Sequence, residues 1–109
     1  LQAAVRALQR ARIVAQHGNP SAMSDVAVGA TLLMSALQGG MFNVGVNIGS
    51  VKDAAIADRI ANDVKDALAA GSSALRDVFL SGGVADLSRD MSTRLGLPHH
   101  GPPPGRTAN

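Results

Sequence analysis

The sequence lacks the residues on which several classes of protein depend. It has no cysteine, tryptophan or tyrosine, and its only aromatic side chains are Phe42 and Phe79. Without cysteine there is no disulfide framework and no thiol ligand for a metal, which fits a cytosolic protein. The sequence also lacks a basic stripe with interleaved aromatic residues, the usual pattern of a nucleic-acid-binding surface. We therefore expect a cytoplasmic protein with no nucleic-acid partner.

Charge is nearly absent from the middle of the chain. Asp25 is the only charged residue between Arg12 and Lys52. So long a weakly polar run is also typical of a membrane span. Against a span, the side-chain amides of Asn43 and Asn47 are expensive to place in lipid, and the amphipathic segments on either side could cover the run. We therefore predict a buried central helix and no membrane partner.

Small residues are what the chain has in abundance, with 19 alanines and 12 glycines among 109 residues. Alanine is the best helix former, and small side chains let helix backbones approach closely. The composition therefore predicts an all-α fold rather than a sheet. We expect an antiparallel helical bundle, in which a long buried central helix is flanked by amphipathic helices.

The first half of the chain divides into two predicted helices. Apolar residues recur at helical spacing over residues 1–17, and Gly18 is predicted to end that helix in a left-handed turn. Asn19 then resembles the N-cap of a new helix, with Ser24 as a competing cap. This second helix, about 21–46, is apolar nearly all round, which predicts burial on most sides.

Glycines suggest where the later helices are interrupted. The pair Gly39-Gly40 predicts a kink or break, because each glycine costs about 1 kcal/mol inside a helix. The segment from Ser50 to Asp53 fits the capping pattern of a further helix start, which Gly71 is predicted to stop. Two short amphipathic stretches follow, separated by Gly82-Gly83.

The end of the chain differs in character from the rest. We assign residues 1–80 to a helical domain and residues 81–109 to a poorly ordered tail, because its Gly/Pro-rich end cannot bury enough apolar surface to order itself. His99 and His100 are adjacent in this tail, a placement that is more often incidental than metal-binding. We therefore expect no metal site.

Asp25 has two interpretations that the sequence leaves open. In the first turn of its helix, a carboxylate meets free backbone N–H groups and the positive end of the helix dipole, so Asp25 can serve as a cap. Alternatively, a lone acid at a buried helix start can transfer protons in a reaction. The first interpretation is structural and the second catalytic.

Two asparagines of the same segment form a second candidate feature. Asn43 and Asn47 are four residues apart, share a helix face, and need partners such as another helix or a polar ligand. Asp25 precedes Asn43 by five full turns, about 27 Å along a straight helix. One site could include all three only if the helix breaks at the glycine pair or a second subunit supplies its copy.

Three segments resemble the cyclodeaminase/cyclohydrolase family: GNPSAMSDVAVG at residues 18–29, FNVGVNI at residues 42–48 and VKD at residues 51–53. The resemblance covers roughly residues 1–70. It is to the family that includes the C-terminal domain of formiminotransferase-cyclodeaminase and a bacterial methenyltetrahydrofolate cyclohydrolase. Only the C-terminal part of the family's domain is matched, so we expect this part alone to be incomplete as an enzyme.

The resemblance implies a helical homodimer that acts on a tetrahydrofolate one-carbon unit. One family reaction closes 5-formiminotetrahydrofolate to the 5,10-methenyl form and expels ammonia, and the other hydrolyses the methenyl form to 10-formyltetrahydrofolate. Neither implies a metal or a bound cofactor beyond the folate substrate. Carried over by position, Asp25 is the catalytic acid/base candidate, and the substrate-binding candidates are Asn43, Asn47, Ser24 and Asn19. The alternative is a non-catalytic helical dimerisation module.

Overall fold

The computed structural model describes residues 1–98, which form four α-helices and two short 3₁₀ turns with no strand in that range. The helices are α1 (Gln2–His17), α2 (Met23–Asn47), α3 (Ala54–Leu80) and α4 (Gly82–Leu95), and the turns are Pro20–Ala22 and Ile48–Ser50. The all-α prediction is therefore confirmed. The last eleven residues, including His99 and His100, lie outside the described residues.

α1 ends at Gly18, as predicted, but not in a left-handed turn. Gly18 has extended backbone angles, φ −79° and ψ 172°, and its N–H donates to the Val14 carbonyl. A Cβ on Gly18 would overlap that carbonyl and lie 3.2 Å from the Met23 methyl group. Gly18 is thus required by the close passage of the chain into the next turn, and the predicted left-handed conformation is wrong.

α2 is continuous for 25 residues, so the predicted break at Gly39-Gly40 is wrong. A Cβ on Gly40 would lie 2.6 Å from Cδ2 of Leu1, whereas a Cβ on Gly39 would meet nothing within 4 Å. Gly40 therefore makes room for the start of α1. Packing against α1 offsets the helix-propensity cost of the glycines, about 1 kcal/mol each.

α3 begins at Ala54, later than the start predicted at Ser50. The Asp53 carboxylate accepts hydrogen bonds from the N–H groups of Ala55 at 2.9 Å and Ile56 at 3.1 Å, and so caps the helix. The Ser50 hydroxyl instead donates to the Asn47 carbonyl at 2.7 Å, closing the turn after α2. The cap is therefore the aspartate of the predicted pattern rather than its serine.

α3 also passes through Gly71, where the sequence predicts a stop. Gly71 is buried, and a Cβ there would overlap Leu37 of α2 and lie 3.4 Å from Leu8 of α1. Three helices meet at this point, and only a residue without a side chain fits. The glycine therefore serves helix packing and does not end the helix.

α4 extends the helical part of the chain past the boundary predicted at residue 80. The backbone at Ser81 is extended, with ψ 144°, and this ends α3. α4 then runs to Gly96, which has a left-handed conformation with φ 66°. Val84 is fully buried, and a Cβ on Gly83 would lie 3.0 Å from Cγ of Met23. α4 is thus packed on the start of α2, and residues 82–95 are part of the fold rather than of a tail.

α1, α2 and α3 pack against one another as an antiparallel bundle. Leu1 lies beside Gly40 while Gly18 lies beside Met23, so α1 and α2 run in opposite directions. Arg12 of α1 forms an ion pair with Asp77 of α3, 3.3 Å between Nη1 and Oδ2. The buried core lies between the helices and consists of Val5, Leu8, Ala15, Met23, Ala30, Met34, Leu37, Ala67, Ala74, Val78 and Val84.

A smaller part of the α2 surface is buried than its composition predicts. α2 contacts all three other helices, but its buried residues form one stripe: Met23, Ala30, Met34 and Leu37. Pro20–Ser50 is long and apolar enough to cross a membrane, although such a helix is weak evidence because core helices of soluble proteins meet the same criterion. Only 22% of its most apolar stretch is buried, so the other described helices leave most of α2 uncovered.

Candidate functional site

Asp25 lies in the first turn of α2, exposed to solvent. It is two residues after the buried Met23, about 200° further round the helix, which places it opposite the core. Within residues 1–98, no hydrogen bond or ion pair to its carboxylate is present. The start of α2 is buried at Met23, but the Asp25 side chain is not buried within one chain, because it points away from α1 and α3.

Asn19 shapes the turn that leads into α2. Its Oδ1 accepts hydrogen bonds from the backbone N–H and the hydroxyl of Ser21, both at 3.0 Å. This is the predicted N-cap, and it caps the 3₁₀ turn Pro20–Ala22 that precedes α2. Because its side-chain oxygen already accepts two hydrogen bonds, Asn19 contributes to the site by fixing the backbone of this turn.

Asn43 and Asn47 lie at the other end of α2 and line one groove. The groove has a volume of about 440 Å³, and Ile60 of α3 also lines it. Nδ2 of Asn47 donates to the backbone carbonyl of Asn43 at 2.7 Å, which orients the Asn47 amide. Both asparagines are exposed, so their remaining polar atoms face the groove and solvent.

The structure separates Asp25 from this groove. Because α2 does not break, the 18 residues from Asp25 to Asn43 correspond to about 27 Å along the helix axis. Ser24, beside Asp25, lines a different groove. A single copy of the described chain therefore brings Asn43 and Asn47 together but not the carboxylate.

The groove at Ser24 is not predicted by the sequence. It lies between α2 and α4, measures about 380 Å³, and is mainly apolar, with Leu32, Phe79, Leu87 and Met91 among its lining residues. The sequence pattern that indicates this groove is the amphipathic spacing of Leu87 and Met91, which lie four residues apart beyond the predicted domain boundary. We call it the α4 groove.

The exposed side of α2 carries a second regular pattern, which we call the outer stripe. Its members are Val28, Leu32, Ser35, Gly39, Phe42 and Val46, all exposed to solvent. They are separated alternately by four and three residues. Phe42 is 67% exposed and Val46 83%, which is unusual for apolar residues so regularly placed.

No metal site accompanies these features in the described part of the chain. Within residues 1–98, no group of three or more His, Cys, Asp or Glu side chains is close enough to hold an ion. Among the candidate site residues, the Asp25 carboxylate and the amides of Asn43 and Asn47 are the groups assigned to ligand chemistry.

Comparison with known protein families identifies the class to which this helical fold belongs. The model of the formiminotransferase-cyclodeaminase family matches residues 1–66, which is more than half of the chain and includes every candidate site residue. The chain therefore belongs to this family, as the sequence resemblance predicted. Membership places it in folate one-carbon metabolism. Searches of the curated proteins and of the solved structures gave no significant match.

Proposed function

We propose that the protein acts on a tetrahydrofolate one-carbon unit, either by hydrolysing 5,10-methenyltetrahydrofolate or by cyclising 5-formiminotetrahydrofolate. The observation that carries this proposal is the family match over residues 1–66, since Asp25 and the groove asparagines all lie within it. The groove of about 440 Å³ at Asn43 and Asn47 falls in the usual size range of ligand pockets.

Both reactions require proton transfer next to one carbon atom. In the hydrolysis, water adds to the bridging carbon and loses both protons as its oxygen becomes the formyl oxygen. One proton is taken up by N5 when the bond from that carbon to N5 breaks, and the other is released. In the cyclisation, N10 attacks the formimino carbon and loses a proton, and the departing nitrogen gains protons as ammonia leaves. A positioned carboxylate can accept and return a proton in either case, and Asp25 is the residue we assign to this role.

The amides of Asn43 and Asn47 are assigned to substrate binding. An asparagine side chain offers two N–H donors and a carbonyl acceptor, which suits the mixed donor and acceptor edge of a pterin ring. Asn47 is held by its bond to the Asn43 carbonyl and keeps its side-chain oxygen for a ligand. Asn19 and Ser24 support the site through the turn that places Asp25.

A homodimer is part of the proposal, because one copy holds Asp25 and the asparagines about 27 Å apart. The reactions as written need no metal or redox cofactor, and a soluble folate substrate fits a cytoplasmic location.

The test is the absorbance of 5,10-methenyltetrahydrofolate mixed with the protein and followed against a buffer blank. Decay above the blank that is lost in Asp25→Asn supports the hydrolase. If the methenyl compound is stable, the same protein is given 5-formiminotetrahydrofolate, and a rise in methenyl absorbance with release of ammonia supports the cyclodeaminase. Absence of both activities from a protein that contains this sequence within the whole family domain contradicts the catalytic proposal.

A second candidate function is a non-catalytic helical dimerisation module. The outer stripe favours it, since these exposed apolar residues would pair helices without any chemistry. The two candidates differ at Asp25. A module keeps its assembly after Asp25→Asn and turns over neither folate, whereas an enzyme keeps its assembly and loses turnover.

A further inference from the structure

We propose that the α4 groove binds the p-aminobenzoyl ring of the tetrahydrofolate substrate and holds it beside Asp25. Phe79 of α3, and Leu87 and Met91 of α4, line this groove and lie beyond residue 66, where the family match ends. The family match therefore assigns no role to the groove. The inference rests on the proposed function in one respect, since the ring belongs to the proposed substrate.

The α4 groove has the depth and the size of a small-molecule site. Val84 lines the groove and is fully buried, so the groove reaches down to the core, while Leu32 and Met91 line it and are exposed to solvent. Its volume of about 380 Å³ lies in the usual range of ligand pockets. One aromatic ring with its substituents can therefore enter from the solvent side and be covered by α2 and α4.

The lining of the groove favours an uncharged ring that carries polar substituents. None of the ten residues that line the groove in the described structure is charged. Phe79 offers an aromatic face and Met91 a thioether, and both groups pack favourably against an aromatic ring. The hydroxyls of Ser24 and Ser88 can donate to an amide carbonyl or accept from an aniline N–H. A p-aminobenzoyl group combines these features in one ring.

Asp25 borders this groove on the α2 side. Ser24 immediately precedes it, and Val28, three residues further on, is its neighbour on the helix surface, about 5–6 Å away between Cβ atoms. Ser24 and Val28 both line the groove. In both proposed reactions the reacting carbon forms or keeps a bond to N10, the nitrogen attached to the aminobenzoyl ring. A ring in the α4 groove thus places this nitrogen next to the Asp25 carboxylate.

The α4 groove and the asparagine groove then hold different parts of one substrate. The proposed function assigns the pterin to Asn43 and Asn47 of one copy and the proton transfer to Asp25 of the other. Because the α4 groove adjoins Asp25 in the same copy, the copy that supplies the carboxylate also holds the ring. The reacting carbon lies between the pterin and the ring, beside that carboxylate.

Arg94 supplies a positive charge beyond the groove for the carboxylates of the substrate's glutamate. It is seven residues after Leu87, about two turns along α4 and within about 20° of the same side. Its guanidinium forms an exposed ion pair with Asp90, 3.0 Å between Nε and Oδ2, and surface pairs of this kind contribute little. Arg89 lies about 200° round the helix from Leu87. Arg94 is therefore the α4 arginine that can reach a ligand in the groove.

Methionine methyl signals test the site without turnover. The protein has four methionines, of which Met91 lines the α4 groove and Met41 lines neither groove. Protein labelled with ¹³C in these methyl groups is titrated with p-aminobenzoylglutamate into the millimolar range, because a fragment of a ligand binds weakly. We expect the Met91 signal, identified by its loss in Met91→Leu, to shift and the Met41 signal to stay. No shift at Met91, or an equal shift at Met41, overturns the proposal.

Two pairs of variants locate the ligand. Phe79→Leu keeps an apolar side chain but removes the ring, and should raise the Kd at least about threefold, whereas Phe42→Leu, outside the groove, should leave it unchanged. Arg94→Gln should weaken p-aminobenzoylglutamate binding about two- to fivefold and leave that of uncharged 4-aminobenzamide unchanged, whereas Arg89→Gln should change neither. Both arginines are exposed, so this second pair remains informative if Phe79→Leu fails to fold. Equal effects within each pair contradict the proposed location.

The site and the proposed reaction succeed or fail separately. If either folate is turned over and Phe79→Leu leaves KM unchanged, the reaction stands and the groove is not part of its site. If the Met91 signal shifts but a protein with the whole family domain turns over neither folate, the groove binds the ring and the proposed reaction is wrong.

Discussion

Gly71 of α3 lies directly against the side chain of Leu37 of α2, so closely that a Cβ on Gly71 would overlap Cδ2 of Leu37. Leu37 is fully buried, so it has no free space into which to move. Leu8 of α1 touches the same point from a third direction. The closest approach of the three long helices therefore depends on the absence of one methyl group.

Substitution of this glycine gives the first prediction. Gly71→Ala gains about 1 kcal/mol of helix propensity but overpacks the crossing, which costs about 1–3 kcal/mol. Gly29→Ala in α2 has the same propensity gain and meets nothing within 4 Å. We expect Gly71→Ala to be at least about 1 kcal/mol less stable than Gly29→Ala in urea unfolding followed by circular dichroism. Equal stability of the two variants would show that the crossing is not tight.

The start of α3 gives the second prediction. Asp53→Ala removes the acceptor for the Ala55 and Ile56 N–H groups and should lower the free energy of unfolding by about 0.5–2 kcal/mol. Asp53→Asn should retain most of that stability, because asparagine caps as well as aspartate. Ser50→Ala should cost less than Asp53→Ala. If Ser50→Ala lowers the free energy of unfolding more than Asp53→Ala does, Ser50 caps the helix, as the sequence pattern predicts.

Two leucines distinguish the core from the outer stripe. Leu8 is fully buried, so Leu8→Ala should cost about 2–5 kcal/mol at any protein concentration. Leu32 is 64% exposed, so Leu32→Ala should leave the unfolding of the isolated chain within about 0.5 kcal/mol of the parent. In the proposed homodimer, however, Leu32→Ala should weaken any pairing through the outer stripe. Sedimentation across a concentration series measures this, and an unchanged dimer would mean that the outer stripe does not join the two copies.

The ion pair between Arg12 and Asp77 is expected to contribute little. Their side chains are 42% and 40% exposed, and pairs of this kind are worth about 0–1 kcal/mol. Asp77→Asn should therefore change the unfolding free energy by less than about 1 kcal/mol, and salt should reduce the difference further. A loss several times larger in 1 M salt would mean that Asp77 has a role other than this pair.

Much of the fold could be predicted because periodicity and capping are local. The helical spacing of residues 1–17 and the Asn19 turn are set by neighbouring residues, and the structure has both. Glycine is different, since its effect depends on what packs against it. Gly71 and Gly40 resemble helix breakers in sequence, and only the positions of Leu37 and Leu1 show that they permit close packing.

The site was harder to predict than the fold. The sequence shows that Asp25 and Asn43 share a face of α2, and helix geometry gives their separation. Their surroundings depend on what covers that face, and a nearly uniform apolar helix does not show which side meets the core. The structure leaves that side exposed, which is why the outer stripe could be recognised only from the fold.

Mixing two inactive variants tests the central claim, that the Asp25 carboxylate of one copy works on the asparagine groove of another. Asp25→Asn and Asn47→Ala should each keep the fold and lose activity, by about 10²- to 10⁴-fold for Asp25→Asn. After subunit exchange, half of the dimers are mixed and each has one intact site, so the absorbance assay should recover about a quarter of the parent rate. If subunits exchange and the rate stays at that of the separate variants, the shared site is contradicted.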